Sequence, residues 1–299
     1  MKLLRYWHDG AARPGLLSGD GQGVVPLASL ADGRFPNIAQ LFELDTDALA
    51  ALTREVLDAR PEVGLADVRL LAPVPRPGKY LAIGMNYRDH IAEAERLGVP
   101  PPTNQTWFNK QTTCIGGPFD DIDPGVTEKL DYEVELGFVI GRRARFVDKA
   151  DAPDHVFGYL VANDVSARDW QFHAQTFTVG KSFDTHGPVG PWLVTRDEIP
   201  DPHSLGIRCL VNSQLRQQSN TGQLLFTVWD QIEYLSTAFT LEPGDLLITG
   251  TPAGVGVGMT PQTFLAEGDV VRCEIDQIGA IENRVVRRSG EEARTPRPY

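Results

Sequence analysis

The sequence predicts a β-rich α+β fold, and three observations predict it. Short apolar stretches bounded by Gly, Pro and Asp recur along the chain, the way strands and their turns are written. Only three segments carry apolar residues at helical spacing. Strands therefore outnumber helices too far for a regular strand–helix alternation. The 299 residues allow one large or two modest domains, and 41% hydrophobic content supplies a core. No internal repeat of fixed period interrupts this pattern.

The elements follow in order. Up to about residue 30, apolar stretches alternate with the turn pairs Asp9-Gly10 and Asp20-Gly21, and Asp32-Gly33 follows. Thr46 to Arg60 reads as a helix, with Leu49, Leu52, Val56 and Leu57 on one face and Asp45 as its cap. Pro61, Pro73, Pro75 and Pro77 then mark a boundary. We expect a small module over residues 1–72, a catalytic domain over 73–290 and a tail over 291–299.

In the larger part, Lys79 to Gly84 reads as a buried strand and Asp89 to Leu97 as a short helix closed by Gly98 and Pro100. Further strands are expected at Leu130 to Ile140, Val156 to Val161, Val189 to Val194, Ile207 to Val211, Leu246 to Thr249 and Val270 to Ile275. A long amphipathic helix is expected from about Gln223 to Phe239, with Leu224, Val228, Ile232 and Leu235 as its apolar stripe.

Composition excludes several function classes. The chain carries 28 basic and 40 acidic residues, a net charge of −12, which argues against nucleic acid as a partner. Cys114, Cys209 and Cys273 are odd in number, far apart and form no C-x-x-C pair, so free thiols are expected. No run is long enough to span a membrane, and charge interrupts Met1-Lys2-Leu3-Leu4-Arg5 too early for a signal peptide. The expectation is a cytoplasmic protein. Gly180-Lys181-Ser182 lacks the upstream glycine of a phosphate loop, since Gln175 stands there. Gly254-Val255-Gly256-Val257-Gly258 has the wrong spacing for a dinucleotide loop, and Pro261 follows where a helix should open.

The informative stretch is Leu130-Asp131-Tyr132-Glu133-Val134-Glu135-Leu136. A two-residue period places Asp131, Glu133 and Glu135 on one face, with carboxylates about 7 Å apart that repel where water is excluded. A hard divalent cation such as Mg²⁺ or Mn²⁺ would compensate them. The alternative is an edge strand with a solvated acidic face. Asp164 ends another apolar strand, Gly158 to Ala162, and can supply a third oxygen, though an acid there also suits a turn. Lys181 stands beside Gly180 in an apolar region, and near carboxylates it would stay charged and could orient an anionic substrate.

Taken with Ile83-Gly84-Met85-Asn86-Tyr87-Arg88-Asp89-His90, Asn163-Asp164-Val165-Ser166-Ala167-Arg168-Asp169, Gly180-Lys181-Ser182-Phe183-Asp184, Leu241-Glu242-Pro243-Gly244-Asp245 and Thr249-Gly250-Thr251-Pro252-Ala253-Gly254-Val255-Gly256, the chain resembles the fumarylacetoacetate hydrolase family over roughly residues 75–285. The resemblance implies a mixed β-roll or β-sandwich with a small N-terminal subdomain, and a homodimer. It implies Glu133, Glu135 and Asp164 as ligands of Mg²⁺ or Mn²⁺, and Lys181 beside them. Arg168, Gln171 and Thr251 would bind substrate, and His90 with Glu93 would form an acid/base pair on a mobile lid helix. Three-residue spacing independently puts His90 and Glu93 on one helix face. Two departures stand out. The F-x-K-P segment of the family reads Phe108-Asn109-Lys110-Gln111, and no acid stands near Asn86, which favours Mg²⁺ or Mn²⁺ over Ca²⁺.

The expected activity is hydrolysis of a carbon–carbon bond in a β-diketo acid of the acylpyruvate type, through a metal-bound enolate. Decarboxylation of a β-keto acid and isomerisation of an unsaturated keto acid are the alternatives at the same metal. Trp170, Phe172 and Phe177 are candidates to line an acyl pocket, or else simply pack.

Overall fold

The computed structural model describes residues 1–30, 33, 38–42, 44–96 and 98–290. Asp32, Leu97 and the tail over 291–299 lie outside the described residues. The architecture is sheet-rich and mixed, with few helices.

Strands β1 (Lys2–His8) and β2 (Ala11–Leu17) form a hairpin closed by Asp9-Gly10, as the turn pair predicts, and β3 (Gly23–Pro26) follows. Helix α1 (Thr46–Asp58) comes next, then the short β4 (Val63–Gly64) and β5 (Arg69–Leu71). The Asp45 carboxylate caps α1 by accepting from Ala48 N at 2.8 Å. Leu49, Leu52 and Val56 are buried, but Leu57 is 63% exposed and leaves the expected apolar face.

The chain continues through β6 (Tyr80–Gly84), helix α2 (Arg88–Arg96), β7 (Thr106–Asn109), β8 (Ile115–Gly116), β9 (Leu130–Asp131) and β10 (Val134–Ile140). Then come β11 (Val156–Asn163), β12 (Ser166–Ala167), the single-turn α3 (Arg168–Gln171) and β13 (Gly187–Thr195). The last part holds β14 (Gly206–Val211), β15 (Gln214–Asn220), α4 (Val228–Ala238), β16 (Leu246–Ile248), β17 (Val270–Ile275) and β18 (Gly279–Arg284).

Twelve strands make the large sheet, in the order β4-β3-β2-β1-β13-β11-β10-β16-β6-β7, with β5 on β1 and β8 on β13. The first 72 residues thus extend the sheet that carries the rest of the chain. Lys2 pairs with Val194 and Leu3 with Leu193. The Met1 ammonium donates to Thr195 Oγ1 at 2.7 Å. A second sheet, β15-β14-β17-β18, packs across the first.

Strand β10 lies between two cores, which is why its part after Glu135, Leu136 to Ile140, carries no polar side chain on either face. Its Leu136, Phe138 and Ile140 join Cys209, Val271 and Ile281 of the second sheet, while Val139 joins Leu3, Leu160 and Ile248 on the other side.

Helix α4 begins five residues later than the apolar spacing suggests. The start is set by a capping box, in which Thr227 Oγ1 accepts from Asp230 N and Asp230 Oδ2 accepts from Thr227 N. Leu224 is buried but lies before the helix, where its carbonyl accepts from Arg88 Nη1 at 2.9 Å. Strands β15 and β18 are absent from the sequence expectation because Gln214 to Asn220 and Gly279 to Arg284 carry too few apolar residues to announce a strand. Replacing the cap, Thr227→Ala, is expected to cost about 1 kcal/mol. In a thermal melt that is a fall in Tm of about 2 °C, whereas Leu57→Lys should leave Tm within about 1 °C because that side chain is in water.

Candidate active site

The acidic stretch does not run as one strand. The backbone leaves the ladder at Tyr132 and Glu133 between β9 and β10. Glu133 N donates to Asn163 Oδ1 at 3.0 Å, and Asp164 N donates to the Glu133 carbonyl at 2.9 Å. This break separates Asp131 from the glutamates with which a strict two-residue period would group it. The Asp131 carboxylate turns instead to Gly256 N and Val257 N, at 2.7 and 2.9 Å, and anchors the Gly-rich turn.

Glu133, Glu135 and Asp164 do come together, with one oxygen of each within 4.8 Å of the others. All three are buried. In strand register Glu135 stands opposite Ala162 of β11, and Val134 opposite Asn163, so Asp164 follows the strand end directly.

Cations answer two of these charges. Lys181 Nζ donates to Glu133 Oε2 at 2.7 Å and Asp164 Oδ2 at 2.8 Å. Burial works against its ammonium, but Asp164 and Glu133 outweigh that and raise its pKa. Arg168 Nη2 pairs with Glu133 Oε1 at 2.6 Å and its Nε with Asp131 Oδ2 at 2.9 Å. Burial alone would raise the Glu133 carboxyl, but Lys181 and Arg168 hold it down at about 2.

Glu135 is different. Its carboxylate accepts from Gly250 N at 2.7 Å and has no ion-pair cation among the described residues. Burial, then Asp164 and Glu133, push it well above the ordinary value of 4.5. Three buried carboxylates with one left uncompensated, offering only oxygen, fit a hard divalent cation such as Mg²⁺ or Mn²⁺.

Of the expected substrate-binding residues, Arg168 and Thr251 have donors engaged within the protein, and Gln171 offers its carbonyl to Arg168. The Arg168 fork is spent on Asp131, Glu133 and, at 2.9 Å from Nη1, Gln171 Oε1. The structure therefore places Arg168 as a brace for Glu133, and Gln171 as a brace for Arg168. The Thr251 hydroxyl donates to the Val134 carbonyl at 3.0 Å and accepts from Gln217 Nε2 at 2.8 Å. To bind a substrate carboxylate, it must leave Val134.

Helix α2 carries His90 and Glu93, and Glu93 ties it to the Gly-rich turn. His90 Nδ1 lies 2.9 Å from Glu93 Oε2, and both side chains are mostly buried. Because the carboxylate can only accept, it places the proton on Nδ1 and leaves Nε2 free to act as a base. When protonated, His90 would lower the Glu133 carboxyl further, after Lys181 and Arg168. Glu93 Oε1 accepts from Gly254 N at 3.1 Å. The turn can come this close because Gly254 has φ +103° and a Cβ there would lie 2.1 Å from the Arg216 carbonyl.

With this geometry established, known proteins sharpen the reading. The family model described as "Fumarylacetoacetate (FAA) hydrolase C-terminal" matches residues 79–286. The chain belongs to the fumarylacetoacetate hydrolase family. It is 42% identical over 291 residues to "Oxaloacetate tautomerase FAHD2B, mitochondrial" of Bos taurus, covering 96% of this chain and 92% of that protein. Among solved structures it resembles a putative HpcE protein from Mycobacterium smegmatis, with a TM-score of 0.85, 36% identity, and coverage of 97% of this chain and 100% of the other. It also resembles a maleylpyruvate hydrolase from Sphingobium sp. SYK-6 in complex with manganese (II) ion and pyruvate, with a TM-score of 0.79, 31% identity, and coverage of 97% and 100%. Those folds agree with the sheet-rich architecture expected from this family member's sequence. No helix among its described residues is long and apolar enough to cross a membrane.

Three residues of the site escaped sequence reasoning. Lys110, which follows β7, is buried, and its Nζ donates to Asp164 Oδ1 at 2.5 Å, to the His186 carbonyl at 3.0 Å and to the Lys181 carbonyl. It compensates Asp164 and fixes the Lys181 backbone together. The departure from proline at the next residue also has a use: Gln111 N donates to Ser182 Oγ at 3.0 Å, a bond that proline cannot make. The sequence shows Asp131 as an acid of the run but carries no sign that it anchors the turn. Gln217, on the polar strand β15, accepts from Val134 N at 3.1 Å and donates to Pro252 O at 2.8 Å; no apolar period or motif marks it. Asn86, with no acid at its position, is a structural joint that donates to the Phe226 and Thr249 carbonyls.

The aromatic residues of the neighbouring loop divide. Phe177 packs edge-on to Phe108 at 6.0 Å, and Phe108 lies 5.3 Å from Lys181 Nζ. Trp170 packs instead against Phe183 at 5.4 Å. Phe172 stacks edge-on to Phe177 at 5.7 Å but is 73% exposed.

Two outcomes follow from these charges. Lys110→Met leaves Asp164 buried and short of a cation, and chemical denaturation should report a loss of about 3 kcal/mol. Without metal, the raised Glu135 carboxyl keeps a proton that the unfolded chain releases above its ordinary 4.5, so its contribution to stability falls as pH rises. Glu133 has the opposite sign: its stabilisation is present above 4.5 and is lost as pH falls towards about 2. Adding Mn²⁺ to chelated protein should therefore raise Tm more at about pH 8 than at about pH 5.5, and Glu135→Gln should remove that difference.

Proposed function

We propose that this chain is a divalent-metal-dependent enzyme that interconverts the keto and enol forms of a short 2-oxo acid with a second carbonyl or carboxyl group two carbons from the keto carbon, oxaloacetate being the model substrate. The observation that carries the reading is one base beside one acidic cluster. His90, held at Nδ1 by Glu93, lies within electrostatic reach of Glu133, which clusters with Glu135 and Asp164. The full-length similarity to a protein called an oxaloacetate tautomerase supports the same reaction class.

Glu133, Glu135 and Asp164 would hold Mg²⁺ or Mn²⁺, which when bound supplies a Lewis acid to polarise a carbonyl oxygen. The remaining work belongs to side chains. His90 Nε2 takes a proton from the carbon between the two carbonyl groups and returns a proton at oxygen, or runs the exchange in reverse. Glu93 holds the imidazole in the tautomer that can accept, and steadies it once it is charged. Lys181 remains an ammonium because two carboxylates surround it. It contributes positive charge where the substrate's carboxylate and developing enolate lie. Helix α2, tied to the Gly-rich turn through Glu93, keeps bulk water from the base.

Hydrolysis of an acylpyruvate is the second reading, and the His90–Glu93 pair favours it because the same base could activate water. The similarity to a maleylpyruvate hydrolase supports it as well. Decay of the enol absorbance of oxaloacetate, followed with Mn²⁺ and after chelation, tests the first reading. The rate should return to background on chelation, and His90→Ala should lower it by about a hundredfold. Acetylpyruvate and oxaloacetate, analysed for products, separate the reactions. Acetate with pyruvate from the former marks hydrolysis, carbon dioxide with pyruvate from the latter marks decarboxylation, and neither is expected from a tautomerase.

A further inference from the structure

We propose that Asp89 and Ser219 are positioning residues that latch helix α2, and with it the His90–Glu93 pair, to strand β15 of the second sheet. The proposal rests on the reading of His90 as the proton-transferring base.

Asp89 joins three elements with one carboxylate. Its Oδ1 accepts from His90 N at 2.7 Å, inside the first turn of α2, and from Ala253 N of the Gly-rich turn at 3.3 Å. Its Oδ2 accepts from Ser219 Oγ of β15 at 2.7 Å. Asp89 has no ion-pair cation within 4 Å among the described residues and stands in the first turn of α2. Hydrogen bonds hold it there, and each bond goes to a different part of the site.

The position of Ser219 strengthens the argument. It stands two residues from Gln217 on β15, so both side chains leave the strand on one face. Gln217 holds Val134, the residue between Glu133 and Glu135, and also Thr251 and Pro252. One face of one strand therefore sets the carboxylate-bearing strand, the Gly-rich turn and the lid helix in register. Ile91 and Ala94 bury the helix without fixing it to β15, and its other polar links are Glu93, itself a member of the acid/base pair, and Arg88, an exposed side chain that reaches the Leu224 carbonyl.

A simpler role for Asp89, as an acid stabilising the first turn of its own helix, would be indifferent to Ser219. That difference gives the test. Ser219→Ala leaves the helix-side bonds of Asp89 in place and removes only the tie to β15. In full-length, Mn²⁺-loaded protein, amide exchange over residues 88–96 should quicken about tenfold, the scale of one lost bond to a carboxylate. The kcat for oxaloacetate keto–enol exchange should fall by a similar factor. Mn²⁺ affinity should stay within about twofold of wild type, since no carboxylate of the cluster has moved. Ser219→Thr keeps a hydroxyl and should restore both exchange protection and kcat. Unchanged exchange in Ser219→Ala overturns the latch. Faster exchange with unchanged kcat overturns its role in positioning the base. If wild-type protein shows no keto–enol turnover, the functional reading fails, while the exchange comparison still decides whether the latch exists.

Discussion

Three carboxylates are held out of water at one point, and much of the surrounding structure answers the electrostatic cost. Glu133, Glu135 and Asp164 are buried within 4.8 Å of one another. Like charges this close in a medium of low dielectric cannot coexist without compensation. Arg168 and Lys181 compensate Glu133, and Lys110 and Lys181 compensate Asp164. Glu135 receives one backbone N–H from Gly250. The arrangement is charged unevenly, and the unevenness is what gives the site an appetite for a cation.

The fold supplies the rigidity that this needs. Strand β10 is packed on both faces, and its partners β11 and β16 fix its register. A carboxylate on such a strand cannot swing away to water without breaking the ladder. The break at Tyr132 and Glu133 releases the backbone just where the strand must deliver a side chain to the cluster. Asp131, two residues earlier, serves a different purpose by fixing the turn over Gly256 and Val257. A local interruption in pairing thus divides a run of acids into members of the buried cluster and an anchor.

The acid/base pair obeys a different logic. It sits on a short helix that buries only Ile91 and Ala94 and is otherwise attached by polar contacts of Asp89, Glu93 and Arg88. Polar attachments of this kind open at lower free-energy cost than a buried apolar face. The site therefore joins a stiff half that holds charge to a more easily opened half that carries the His90–Glu93 pair. Such a division suits an enzyme that must admit a substrate and then exclude water.

The sequence by itself determined the fold class, the principal buried strands, the α1 cap and the presence of a run of acids at Asp131, Glu133 and Glu135. Those features are written locally, as apolar runs, turn residues and acids at fixed spacing, whereas Asp164 joins the glutamates in the sequence reading only through the family resemblance. Strand β17 is found where its apolar spacing predicts it, over Val270–Ile275. Tertiary structure decided what spacing cannot encode. It set the start of α4 at Thr227, because the capping box competes with apolar periodicity and wins. It turned Asp131 away from the glutamates and spent the Arg168 fork on protein carboxylates. It also recruited Lys110, Gln217 and Ser219, whose partners lie between 34 and 130 residues away in the chain. A buried lysine and a buried glutamine look like surface residues until their partners arrive, because only the folded chain removes the water that would otherwise satisfy them.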